Sequence, residues 1–504
     1  MKKIFFFLLI FLSFSSCQPK NNKKNIARIP FSDHPITLDP RKSGDALSCS
    51  LQFMIYEGLT KLTSLQEAEL AVAESYSLSD DGKTYTFKLK ECHWSNGDPL
   101  TAFDFERSWK SQLDPFFPSI SVNLLYDIVN AKEAKEGLVP LSNVGIQALD
   151  DRTLVVELLY PAPYFLELVA FTPFFPVHGA HSKEHISNGP FCMKEEKFQD
   201  HILLKPNPFY YHRDEVKLDG IEIMIVKEET TAIKLFENGQ VDYIGEPLCL
   251  IPFDTIRSMT ERLQTAEVAA TSRIIFNVTK PPLDNRELRR ALGNAIDKKA
   301  LLEYLPIPTT EAIGIVPSCL KKYPCHPLSF NMEEVKKVVL EKEFPPLKLT
   351  YGNSVLNKVT AQILQDQWKK NLGIDIELEG VEMSVFIQKL LKKDYQIVLG
   401  KWICQYNDPL SVLEALTFLK DVRNFPGWNN SLYRDLIGEA RQTRDVTKRL
   451  KVLNEAEDLI NEEVPIAPLF HFHYLYMKSE RLKDLVISPM GVPHFHKAYI
   501  SEET

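Results

Sequence analysis

The chain has 504 residues, 44% hydrophobic and 25% charged, which is ample for several buried cores and typical of a globular protein. That balance excludes overall disorder, and the 20 glycines and 32 prolines follow no collagen-like period. With 59 basic against 67 acidic side chains the net charge is −8, which argues against a dedicated nucleic-acid binder.

The first residues read as an address. Lys2 and Lys3 precede an apolar run from Ile4 to Phe14, broken only by Ser13, and Ser15, Ser16 and Cys17 follow. The run is too short for a permanent bilayer span and predicts a signal peptide over residues 1–16. A cysteine directly behind small residues resembles a bacterial lipobox, with Phe14 where an aliphatic residue usually stands. Cys17 is then the lipid anchor, and residues 17–27 form anchor and polar tether. No other segment reaches 18 apolar residues. The other seven cysteines are irregularly spaced, and Cys319 and Cys325 either pair across a short loop or stay as thiols.

Further along, Thr84 to Lys90 alternates, with Tyr85, Phe87 and Leu89 on one face of a half-buried strand. Thr101 caps a helix carrying Phe103, Phe105 and Trp109. Glu195 to Lys205 reads as a hairpin, and Leu218 to Val226 as a strand. Asp284 and Asn285 precede a helix with Leu288, Leu292, Ala295 and Ile296 on one face. From Leu347 to Leu399 the pattern runs strand, helix, strand, helix, strand, with Gly373 ending the first helix, which predicts parallel crossovers of an α/β fold. A single long helix is expected from about Leu432 to Ile460. Val464 to Phe470, punctuated by Pro465 and Pro468, is expected as an edge strand.

Motifs for chemistry are sparse. The sequence holds no GxSxG, GxxxxGK[ST], GxGxxG or HExxH, and no CxxC. His178, His181 and His185 have the spacing of metal ligands on one helix face, although Pro176 and Gly179 speak against a helix there. A solvated loop is the competing reading. No catalytic residue, cofactor or metal site is assigned, and the chain is read as a binding protein, not an enzyme.

Several segments carry a resemblance. Asp81 to Lys90 and Trp94 to Asp104 (WSNGDPLTAFD) resemble the signature of the extracellular solute-binding proteins of peptide ABC importers, family 5. Leu38-Asp39-Pro40, Tyr56-Glu57-Gly58-Leu59, Asn188-Gly189-Pro190-Phe191 and Lys205 to Tyr210 match in the same order. So do Phe276-Asn277, Pro281 to Asp284, Arg289 to Leu292, and Trp402 with Tyr406-Asn407-Asp408-Pro409. The match spans about residues 28–490.

The resemblance implies a two-lobed α/β periplasmic-binding-protein fold with an additional domain beside lobe one. Residues 28–57, 183–268 and 479–504 would form lobe one, 58–182 the extra domain and 269–478 lobe two. It implies an oligopeptide ligand, ABC importer permease subunits as partners, a membrane anchor, no nucleic acid, and a monomer in the periplasm or at the cell surface. The ligand would be held mainly through its main chain. The ligand-binding residues implied are Trp402, Cys404, Gln405, Tyr406, Asp408 and Asp45. In the family an Asp meets the peptide's free α-amine, where this chain has Gln405. A Gln does not neutralise an ammonium, so Asp408, Asp45 or Glu57 replaces it, or the ligand lacks a free amine, as a blocked peptide, a cell-wall peptide or a metal chelate would.

Overall fold

The computed structural model describes residues 25–42, 44–63, 67–179, 185–305, 307–320, 323 and 345–501. Cys17, His181 and Cys325 lie outside them. Among the described residues no helix is long and apolar enough to cross a membrane.

Three sheets organise the chain. The first has four strands in the order Ile26–Phe31, Gly220–Ile225, His201–Pro206, Phe191–Lys197. Its N-terminal strand pairs parallel to Gly220–Ile225, and the rest is antiparallel. The second, also of four strands, runs Ala73–Leu78, Thr84–Leu89, Thr153–Glu157, Ile146–Asp150 and is antiparallel throughout. In Thr84–Leu89, Tyr85, Phe87 and Leu89 are buried, as the alternation requires. Thr101 and Asp104 close a reciprocal capping box that starts the helix Ala102–Gln112, and Asp104 also accepts from the Trp94 indole.

The third sheet has seven strands. Tyr243–Gly245, Ile466–Lys478, Gln264–Phe276, Ile397–Ile403, Leu347–Gly352 and Ile376–Val381 lie side by side, and Thr309–Glu311 pairs with Ile466–Lys478. Leu347–Gly352 is parallel to both neighbours, the crossover geometry the sequence pattern predicts. Gly373 ends the helix Val355–Leu372 at φ 71°, a conformation that penalises a side chain. Two strands of 13 residues, Gln264–Phe276 and Ile466–Lys478, form the antiparallel spine of this sheet.

Two sequence expectations fail here. Residues 432–460 form two helices, Ser431–Gln442 and Val446–Glu463. Thr443 turns extended and Asp445 caps the second helix by accepting from Lys448 N, so a new start signal interrupts the apolar period. The segment after Val464 is not an edge strand but lies between paired neighbours. Its Pro468 sits at a register shift opposite Arg273, where the ladder needs no N–H from it.

The shared motifs are joints. The Asn188 side chain accepts from Glu57 N and donates to Glu57 O, copying a strand pairing. A Cβ on Gly189 would stand 2.5 Å from the Ile55 carbonyl carbon, so only glycine permits this approach. Asn207 donates to Gly189 O, and Asn277 is buried while donating to Lys393 O and Tyr395 O.

Candidate functional site

A cavity of about 260 Å³ opens where the three sheets' regions meet. The helix Ala46–Ile55 supplies Asp45 and Cys49, the second region supplies Ser121, Leu124 and Phe171, and the large sheet supplies Ile403, Cys404, Gln405 and Tyr474. Met490 to Val492 close the remaining side. The lining mixes apolar surface with a few polar groups, as ligand clefts do.

Of the residues the resemblance implies, Asp45, Cys404 and Gln405 line this cavity. Asp45 caps its helix by accepting from Ser48 N at 2.8 Å and stays partly exposed. Cys404 is buried, which drives its thiol pKa well above the usual value. Its N–H donates to Ala269 O at 2.8 Å. Gln405 N donates to Ser411 Oγ at 2.7 Å, and Gln405 Oε1 accepts from Asn123 Nδ2 at 3.4 Å.

Trp402, Tyr406 and Asp408 lie behind that wall. Trp402 is 9% exposed, its indole N–H donates to Ser411 O, and Arg273 Cζ lies 4.6 Å from its ring centroid. Tyr406 stacks on Tyr164 with centroids 5.3 Å apart. Asp408 makes a buried bidentate pair with Arg449, both N–O distances 2.8 Å, and also accepts from Leu410 N. Burial opposes the Arg449 charge, but Asp408 outweighs it and lifts the guanidinium pKa above its ordinary value. Arg449 Cζ lies 5.2 Å from the Tyr164 ring, so this network joins the second sheet's region to the large sheet's helices.

Glu57 is occupied as well. It is buried and accepts from the Tyr210 and Tyr211 hydroxyls at 3.0 and 2.5 Å. Asp45 is therefore the one proposed replacement acid that lines the cavity. His178 and His185 are separate from it: His178 bonds to Asp98 at 3.0 Å and His185 packs edge-on to Tyr56. Among the described residues no His, Cys, Asp and Glu group has the arrangement of a metal site.

The sequence reading did not single out Arg273 or Arg449, which set the electrostatics here. A charged residue inside the apolar run Ile274-Ile275-Phe276 was the available signal for Arg273.

A two-lobed α/β protein with a lined cavity where its parts meet is the architecture of solute-binding proteins. The chain belongs to the bacterial extracellular solute-binding proteins, family 5, whose middle-region model matches residues 67–424. It is 32% identical to the oligopeptide-binding protein OppA of Bacillus subtilis over 94% of this chain and 93% of that one. It is 27% identical to the periplasmic murein peptide-binding protein MppA of Escherichia coli over 93% and 92%. Among solved structures, the periplasmic oligopeptide-binding protein of Borrelia burgdorferi aligns with a TM-score of 0.79 at 28% identity, covering 95% of this chain and all of that one. The unliganded open form of the murein tripeptide-binding protein MppA aligns at 0.80 and 25% identity, over 95% and 98%.

Proposed function

We propose that this chain captures oligopeptides outside the cytoplasmic membrane and delivers them to the permease of an ABC importer, without chemistry of its own. A lipid on Cys17 tethers it as a monomer after residues 1–16 are removed. Residues 28–57, 183–268 and 479–504 act as lobe one, 58–182 as the extra domain and 269–478 as lobe two. The observation that carries this reading is membership of family 5 together with a cavity bounded by those three parts.

Peptides of varied sequence are gripped by their main chain, and water adapts the space to their side chains. Asp45 takes the α-amine, because Asp408 and Glu57 are already engaged. The cavity wall at Cys404 and Gln405 contacts the peptide, while Trp402, Tyr406 and Asp408 hold that wall in place.

A second reading is favoured by Gln405, whose amide oxygen is bonded to Asn123. On that reading the ligand is N-blocked or a cell-wall peptide. Calorimetric titration of the full chain with matched free and N-acetylated peptides separates the two. Tighter binding of free peptides supports the first, and equal or tighter binding of acetylated ones supports the second. Binding of neither overturns the peptide reading.

A further inference from the structure

Beside the main cavity lies a second, smaller one. Phe53, Phe171, Met490 and Val492 line both, so the partition between them is one side chain thick. Within it Phe53 is held by edge-on ring contacts to Phe171, Phe175 and His494, with centroids 6.2, 5.4 and 5.6 Å away. Met490 is the adaptable member: it is partly buried, unbranched and able to change rotamer without breaking a ring contact.

The charged groups that line the smaller cavity already satisfy one another. Glu57 accepts from the Tyr210 and Tyr211 hydroxyls and lies 4.0 Å from Lys61 Nζ, which has Glu69 at 3.4 Å as its second acid. Burial keeps His494 and His496 neutral near pH 7, with pKa values pushed down to about 4 and about 3. The space offers a ligand apolar contact and no free charge. Its volume is about 40 Å³, room for about three waters or for one branched aliphatic side chain. Apolar space of that size gains dispersion contacts when a hydrocarbon group fills it.

We propose that this smaller cavity is a side-chain pocket of the binding site, taking one branched aliphatic residue of a bound peptide past Met490 while the peptide's main chain stays in the larger cavity. This rests on the peptide reading. Valine, isoleucine and leucine suit the space, whereas a charged side chain would be stripped of water among groups that are already paired.

The test uses the purified full chain and its Ala170→Leu and Ala170→Val variants. Ala170 is 2% exposed and lines the smaller cavity but not the larger, so a longer side chain there fills the pocket from behind. Probes are tri- and tetra-alanine and the same peptides with leucine or aspartate at each position in turn, titrated by calorimetry. At one position the wild type should bind leucine about tenfold or more tightly than alanine, and aspartate no more tightly than alanine. Ala170→Leu should abolish that preference and Ala170→Val, the milder change, should reduce it. Circular dichroism checks the fold of each variant, and Ala170→Val carries the comparison if Ala170→Leu does not fold. No leucine preference at any position, aspartate matching leucine, or a preference that the folded variants keep in full overturns the proposal.

If no peptide binds, the peptide reading fails by itself, and xenon, a probe of apolar space, reads the pocket directly. The wild type should then shift the xenon resonance more than Ala170→Leu or Ala170→Val does at equal concentration. Equal shifts would mean that the space behind Phe53 takes up no apolar group, and would overturn the inference.

Discussion

Arg449 and Arg273 flank the segment Trp402–Pro409, both buried and both stacked on an aromatic ring, Tyr164 for one and Trp402 for the other. Each has a sealed Nε without a partner. They differ at the other nitrogens. Arg449 gives two hydrogen bonds to Asp408, whereas among the described residues no carboxylate faces Arg273. One side of the segment is thus a paired joint between the second sheet's region and the helices beside the large sheet, and on the other side no acid among the described residues faces the guanidinium. A saturated network fixes the position of the wall it supports.

The sharpest way to break this contrast is to unpair Arg449. Asp408→Ala leaves that guanidinium buried and alone, and should cost about 3–5 kcal/mol in chemical denaturation. A loss below about 1 kcal/mol would mean the joint is solvent-screened and no different in kind from an exposed pair.

His494 extends the comparison to a group that is neutral when buried. It lines a small second cavity and packs edge-on to Phe53. Burial pushes its pKa down to about 4, against 6.5 when free. The unfolded chain therefore binds a proton between those values that the folded chain refuses. Stability should fall as pH drops from about 6.5 to 4, by on the order of 3 kcal/mol for this group, and be unaffected above that window. Thermal melts of His494→Gln should show a shallower acid slope, and an unchanged slope would clear His494 of the effect.

Restoring an acid on the cavity side gives a smaller effect. Gln405→Asp should tighten peptides with a free amine about tenfold, or about 1.4 kcal/mol by calorimetry, and leave acetylated peptides unchanged. No gain would mean Asp45 already neutralises the amine. Smallest is the 3.4 Å contact between Asn123 and Gln405. Asn123→Ala should change stability by about 0.5 kcal/mol or less, since the bond is long and partly exposed.

Much of the fold was legible because local signals agreed with it. The alternation of Tyr85, Phe87 and Leu89, the cap at Thr101 and the stop at Gly373 each act within a few residues. Where a local signal is weak against a continuing apolar period, as with Asp445 inside residues 432–460, the pattern predicts one helix and the chain forms two. The site was less legible. Position in the chain groups Trp402, Cys404, Gln405, Tyr406 and Asp408 together, but only a folded wall separates those facing the cavity from those behind it. Arg449 lies 41 residues beyond Asp408, and no periodicity predicts that meeting.

Cys404 gives the cavity wall a consequence for kinetics. Its side chain is buried, and burial raises the thiol pKa well above the ordinary value. An alkylating reagent therefore reaches a reactive thiolate there only during moments when local opening bares the sulfur. With the more exposed Cys49 replaced, the labelling rate at Cys404 counts those moments, and any slowing with added ligand reads out occupancy without a tag on the ligand. The protein thus carries its own stopwatch at the cavity wall.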